Sequence, residues 1–197
     1  MRFLFLIIFF NIVAYIYSQE KELEISINSL DTGAYDICKV KNNTLKVLYG
    51  KEALAALEKQ IAVDKELKDY IGGYMEEQDI ISYYPQEGIA LFECPAKTVS
   101  VFDLNNKEDS YGDPATYIYS PSGKYRFSSL EADGVHYYLE ERENEKYVYL
   151  GLVFPFYISQ NLSGFYWEDD KTLHYLKECH KDDSTTYKKA YSVSFLF

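Results

Sequence analysis

The chain has 197 residues, a formal charge of −11, and 21 tyrosines beside 12 phenylalanines. That length suits one domain, or at most two small ones, and is enough to bury a full core. The acidic balance excludes a phosphate backbone as partner and argues against electrostatic attachment to anionic lipid.

The first element is a leader. Residues 2–18, RFLFLIIFFNIVAYIYS, place one positive charge before an apolar run and a small final residue, which is the pattern of a secretory signal peptide. Cleavage is expected between Ser18 and Gln19. The run falls short of the roughly 17 to 25 residues that a spanning helix needs, so no stable membrane insertion is expected once residues 1–18 are removed. The predicted location is secreted or periplasmic, and loss of Arg2 takes the charge from −11 to −12. Export would carry Cys38, Cys94 and Cys179 into an oxidising compartment, where three cysteines allow at most one internal disulfide; the sequence leaves its pairing open. Two N-x-S/T sequons, at Asn42 and Asn161, would matter only in a eukaryotic host.

Residues 19–197 read as a single mainly β domain with a helical insertion at 51–73. The alternation Leu-Glu-Ile-Ser-Ile from Leu23, and a weaker one over 44–49, predict opening strands. Residues 51–71 are rich in Ala, Leu, Glu and Lys, with Leu54, Leu57 and Ile61 at helical spacing. They predict one long helix, with a break near Asp64 and an end at Gly72-Gly73. Beyond it, at least seven strands are expected. Segments 88–93, 98–104, 115–120, 124–129, 134–141 and 145–153 have strand length and are separated by turn residues. Ser120-Pro121-Ser122-Gly123 fits a type I turn, and Asn105-Asn106, Asp133-Gly134, Asn144 and Asp169-Asp170 mark others. Connections this short predict an antiparallel meander. The aromatic content agrees, since such residues favour pleated, half-buried surfaces.

Three turn regions share a plan of an aromatic residue, a turn and an alternating strand: YYPQEGIALFE from Tyr83, IYSPSGKYRFSS from Ile118 and YWEDDKTLHYLKE from Tyr166. The second resembles the Ser-Pro-Asp-Gly-Lys turn of TolB-type β-propeller blades, matching it at Ser120, Pro121, Gly123 and Lys124. The third resembles it only at Lys171 and Thr172. The resemblance spans about residues 83–177 and implies propeller-like blades serving as a binding scaffold. A β-sandwich or barrel is the other architecture open to the pattern.

Chemical motifs are sparse. Residues 103–109 begin like a calcium loop, but Glu108 stands where the sharp turn needs Gly and Pro114 where the bidentate Glu belongs. His174, Cys179 and His180 lack a fourth zinc ligand at familiar spacing. No nucleophile elbow or phosphate loop is present, and no cofactor or metal is expected. The carboxylates Glu140, Glu141, Glu168, Asp169 and Asp170 offer the one catalytic reading, because glycoside hydrolysis needs two carboxyl groups flanking a bond. Aromatic neighbours would stack on sugar faces. The expected ligand-binding residues are accordingly Tyr138, Tyr166, Trp167 and Glu168, with no catalytic assignment. The leading expectation is an exported, non-enzymatic binding or structural protein with protein or carbohydrate partners. The alternative is a secreted carbohydrate-active hydrolase using paired carboxylates.

Overall fold

A computed structural model describes residues 23–197 apart from 32, 41–44, 96, 133, 145, 155–160, 183 and 184. The leader at 1–18, the start at Gln19, the Asn42 sequon and the Asp133 turn position lie outside the described residues. The fold is mainly β, as the composition predicts, and all of its strand pairs are antiparallel.

Three sheets follow one another along the chain. Sheet I runs in sequence order through β2 (Leu48–Tyr49), β3 (Asp79–Tyr84), β4 (Ile89–Glu93), β5 (Val99–Asp103) and β6 (Glu108–Asp109). Sheet II is the meander β7 (Ile118–Tyr119), β8 (Tyr125–Glu131), β9 (Val135–Glu143) and β10 (Lys146–Leu152). Sheet III contains β11 (Leu162–Trp167), β12 (Thr172–Asp182) and β13 (Thr185–Phe195), and is completed by β1 (Ile25–Ser29), which lies along β13 from Ile25↔Phe195 to Ser29↔Tyr191. The first and last strands of the described chain therefore pair. Among the described residues no sheet closes into a barrel.

The layers are ordered by what each strand face buries. Helices α1 (Gly50–Ile61) and α2 (Lys65–Glu77) set Ala53, Leu57, Ile61, Leu67 and Ile71 on one face of sheet I, against Tyr83, Phe92 and Phe102. The other face of sheet I presents Tyr84, Ile89, Leu91 and Val101 to Leu130 and Tyr138 of sheet II. On its far side, sheet II packs Tyr125, Phe127, Tyr137 and Leu139 against Trp167, Leu173, Tyr175, Val193 and Phe195 of sheet III. Sheet II is thus covered on both faces. This is why β8 is buried at four consecutive positions from Tyr125 to Ser128, where strict alternation would expose every second one.

Local chemistry explains most boundaries. The expected break near Asp64 is a full helix end: Asp64 Oδ1 accepts the Leu67 amide proton at 3.0 Å and starts α2. Gly72-Gly73 does not end the helix as predicted. Both lie inside α2, which continues to Glu77 because Tyr74 and Met75 pack on the sheet I cluster beyond them, as Ile71 does before them. The strand predicted over 115–120 shrinks to Ile118–Tyr119, since Asp113 caps a 3₁₀ turn at Pro114–Thr116. Only Leu48–Tyr49 of the strand predicted over 44–49 is extended in a ladder. At the 120–123 turn, Ser120 O accepts from Gly123 N at 2.8 Å, and Gly123 takes the left-handed φ of 72° that this corner needs.

Candidate functional site

The four expected binding residues do not form one surface. Tyr166 and Trp167 are neighbours on β11 and point to opposite faces of sheet III, as the two-residue strand period requires. Trp167 is 7% exposed and faces sheet II. Its Nε1 donates to Ile118 O at 3.0 Å, and its ring packs on Phe195, so it has no face left for a ligand. Tyr138 lies on the other side of sheet II, beside Tyr111 and Tyr149. Only Tyr166 and Glu168 meet.

They meet beneath residues 33–40, which cross the outer face of sheet III. Tyr35 Oη donates to Gly164 O at 2.5 Å, and its ring lies 5.3 Å from that of Tyr166. The Asp36 amide donates to Tyr166 Oη at 3.0 Å. Tyr166 Oη is 2.7 Å from Nδ1 of His174, its cross-strand partner in the ladder. The phenol oxygen has a second lone pair beside the one that accepts from Asp36, so the direction of its bond with Nδ1 follows the histidine tautomer. Lys39 Nζ sits 2.6 Å from Glu168 Oε2 and 5.6 Å from the centre of the Tyr166 ring. Gly164 makes this approach feasible: at φ 62° it adopts a left-handed conformation, and a Cβ there would collide with the Tyr35 hydroxyl.

The electrostatics follow the geometry. Burial holds the His174 imidazole below the usual histidine range, and the Lys39 charge adds to this while Glu168 and Asp169 oppose it. Burial and the adjacent Tyr166 push the Tyr35 phenol up to about 12. The hydrogen bond to Glu168 raises Lys39.

The other carboxylates are also committed. Glu140 is 1% exposed between sheets I and II, where Arg126 grips it through Nε–Oε2 at 2.7 Å and Nη2–Oε1 at 2.6 Å. The guanidinium lies 3.9 Å from the ring centre of Tyr117 and 4.4 Å from that of Tyr147. Burial raises the Glu140 carboxyl while Arg126 pulls it down. Burial disfavours the Arg126 charge too, but Glu140 and Tyr117 overcome it and raise the guanidinium. Glu141 pairs with Lys124 at 2.9 Å. Asp169 Oδ1 accepts from Lys171 N within its own turn. Asp170 Oδ1 accepts from Ser122 N at 3.0 Å, tying the turn of sheet III to that of sheet II, and the Ser122 contacts hold its carboxyl below the usual carboxylate range.

Among the described residues no cluster of three histidine, cysteine or acidic side chains could hold a metal ion. Asp103 spends its oxygens on Asn105 N, Asn106 N and Asn106 Nδ2 in a polar turn. His174 and His180 stand six residues apart along β12, roughly 20 Å at the rise of an extended strand, too far to share an ion. Cys38, Cys94 and Cys179 are free thiols. A cleft of about 400 Å³ opens between β7 and β11, lined in part by Tyr117, Ile118, Phe127, Leu162 and Phe165.

Nothing in the local sequence points to Arg126, Tyr35, Asp36 or Lys39, and His174 enters it only in a zinc set that lacks a fourth ligand. The Tyr166–His174 pairing was open to inference, because eight residues around the Asp169-Asp170 turn place them opposite each other. The landing of 33–40 on that pair had no local signal. No family model, curated protein or solved structure matches the chain.

Proposed function

We propose that the chain is an exported, non-enzymatic binding or structural module built on an acidic, tyrosine-rich β scaffold, acting outside the cytoplasm. The observation that carries this reading is the commitment of the carboxylates. Glu140 is neutralised by Arg126 and Glu168 is engaged by Lys39, whereas a hydrolase of the paired-carboxylate kind needs both groups turned toward a shared bond. Export rests on the leader pattern in residues 2–18.

The propeller resemblance belongs to the same proposal. Tyr83, Tyr119 and Trp167 each stand just before the turn of their hairpin, and each faces the preceding layer. Tyr83 meets the helices, Tyr119 lies on the sheet I side of sheet II with its neighbour Arg126, and Trp167 meets sheet II. Three hairpins in successive layers with the same facing rule support a repeated unit.

One preparation tests both parts. The full chain, expressed with its leader in a secreting host, should yield material whose intact mass begins at Gln19. That material should release no reducing sugar from a panel of polysaccharides. Turnover abolished by Glu140→Gln or Glu168→Gln would replace this reading with the hydrolase. Retention of residues 1–18 in a membrane fraction would remove export.

A further inference from the structure

We propose that residues 33–40 are a strap that the neutral form of His174 holds on sheet III, and that protonation of His174 releases it, uncovering Tyr166 at acidic pH. The holding chain has three members: Asp36 N–H donates to Tyr166 Oη, and in the neutral ring that carries its proton on Nε2, Tyr166 O–H donates to His174 Nδ1. His174 is 7% exposed, and in that tautomer its Nδ1 is the acceptor. A proton on Nδ1 turns the acceptor into a donor. The phenol oxygen then faces two donors, Asp36 and His174, while its own hydrogen loses its acceptor in a buried position. Such a group costs its full desolvation penalty. Moving the strap away lets water reach the imidazolium and the phenol, so the protonated state favours release.

The groups facing His174 decide the direction. From the strap come Tyr35, Asp36 and the Lys39 ammonium; from β11, Tyr166; from the following turn, Glu168 and Asp169; from β13, Ser192, its ladder partner. The two carboxylates favour the charged ring, while Lys39 and the buried position disfavour it, and the net direction is down. The docked strap therefore has the lower histidine pKa. Its stability is complete above the ordinary histidine value near 6.5 and is lost as pH falls below it.

The remaining strap contacts are few. Among the described residues they are the Tyr35 hydroxyl on Gly164 O, the Tyr35–Tyr166 ring contact, the half-exposed Lys39–Glu168 pair and the Lys39 ammonium over the Tyr166 ring. Ile37 is 62% exposed, so the strap buries little apolar surface of its own and is poised to open on one lost polar link.

The test is amide hydrogen exchange of the full chain between pH 7.5 and 5.0, corrected for intrinsic rates, with the amides of Phe127 and Leu139 in sheet II as controls for global unfolding. Protection at Asp36 should fall by up to about tenfold per pH unit below 6.5 while the controls hold. The ¹⁵N titration midpoint of His174 should coincide with that loss. His174→Gln, whose side chain cannot take up a proton, should make Asp36 protection independent of pH. Tyr166→Phe should remove that protection at both ends of the range with the controls intact. Flat protection at Asp36 in the wild type, or the same pH dependence in His174→Gln, overturns the proposal. Should His174→Gln fail to fold, a His174 midpoint displaced from the loss of strap protection overturns it equally.

Discussion

The two faces of sheet II solve the same problem by different chemistry. On the side toward sheet III, Phe127 and Leu139 are cross-strand partners in an interface of aromatic and aliphatic side chains. One residue earlier in β8, on the side toward sheet I, the partners are Arg126 and Glu140, a bidentate pair held between tyrosines. The apolar face stabilises in proportion to the area it removes from water, whatever its neighbours do. The charged face must first overcome the cost of stripping water from two ions, and it does so only in one geometry. The first face supplies stability; the second joins β8 to β9 through a pair that has lost its water.

Breaking each pair in turn exposes that difference most strongly. Arg126→Met should destabilise the protein by about 3–5 kcal/mol, because it leaves the Glu140 carboxylate buried without a partner. Adding Glu140→Leu to it should recover most of the loss. On the opposite face, Phe127→Ala should cost a comparable amount, about 3–5 kcal/mol. Adding Leu139→Ala there should deepen the loss, since each truncation removes its own buried area and leaves its own cavity. Urea denaturation of the four variants decides the matter, and a charged double mutant that is worse than its single parent would dissolve the contrast.

A weaker test concerns the turn joining β7 to β8 in this sheet. Pro121 occupies a corner that donates nothing to the ladder, so Pro121→Ala should change stability by at most about 1 kcal/mol. A proline placed at Phe127 removes a donor from a central strand and should cost about 3 kcal/mol or more.

The smallest effect lies outside sheet II and runs the other way. Gly72 and Gly73 sit within α2, and a Cβ at either would meet nothing within 4 Å. Gly73→Ala should therefore raise stability by about 0.5–1 kcal/mol, read as a higher urea midpoint at unchanged slope. A loss would mean that the helix needs these glycines for a reason not visible in its packing.

What the sequence determined by itself was everything set by neighbours along the chain. The β-rich composition, the hairpin turn at 120–123, the helical register of Leu57 and Ile61 and the break at Asp64 all depend on contacts within a few residues, and their signals are local. The short strands from Ile89 onward were legible for the same reason. Tertiary structure decided what distance along the chain conceals. It placed β1 against β13, carried α2 past its two glycines by packing its far end on sheet I, and turned Trp167 inward while Tyr166 faced out. It also closed Arg126 on Glu140 and brought Tyr35 and Asp36 onto Tyr166, some 130 residues away. The sequence shows that Glu140 carries a charge, but only the burial of that charge beside a guanidinium turns a catalytic candidate into a structural pair. Burial is a property of layers stacking, and no window of the chain contains two layers.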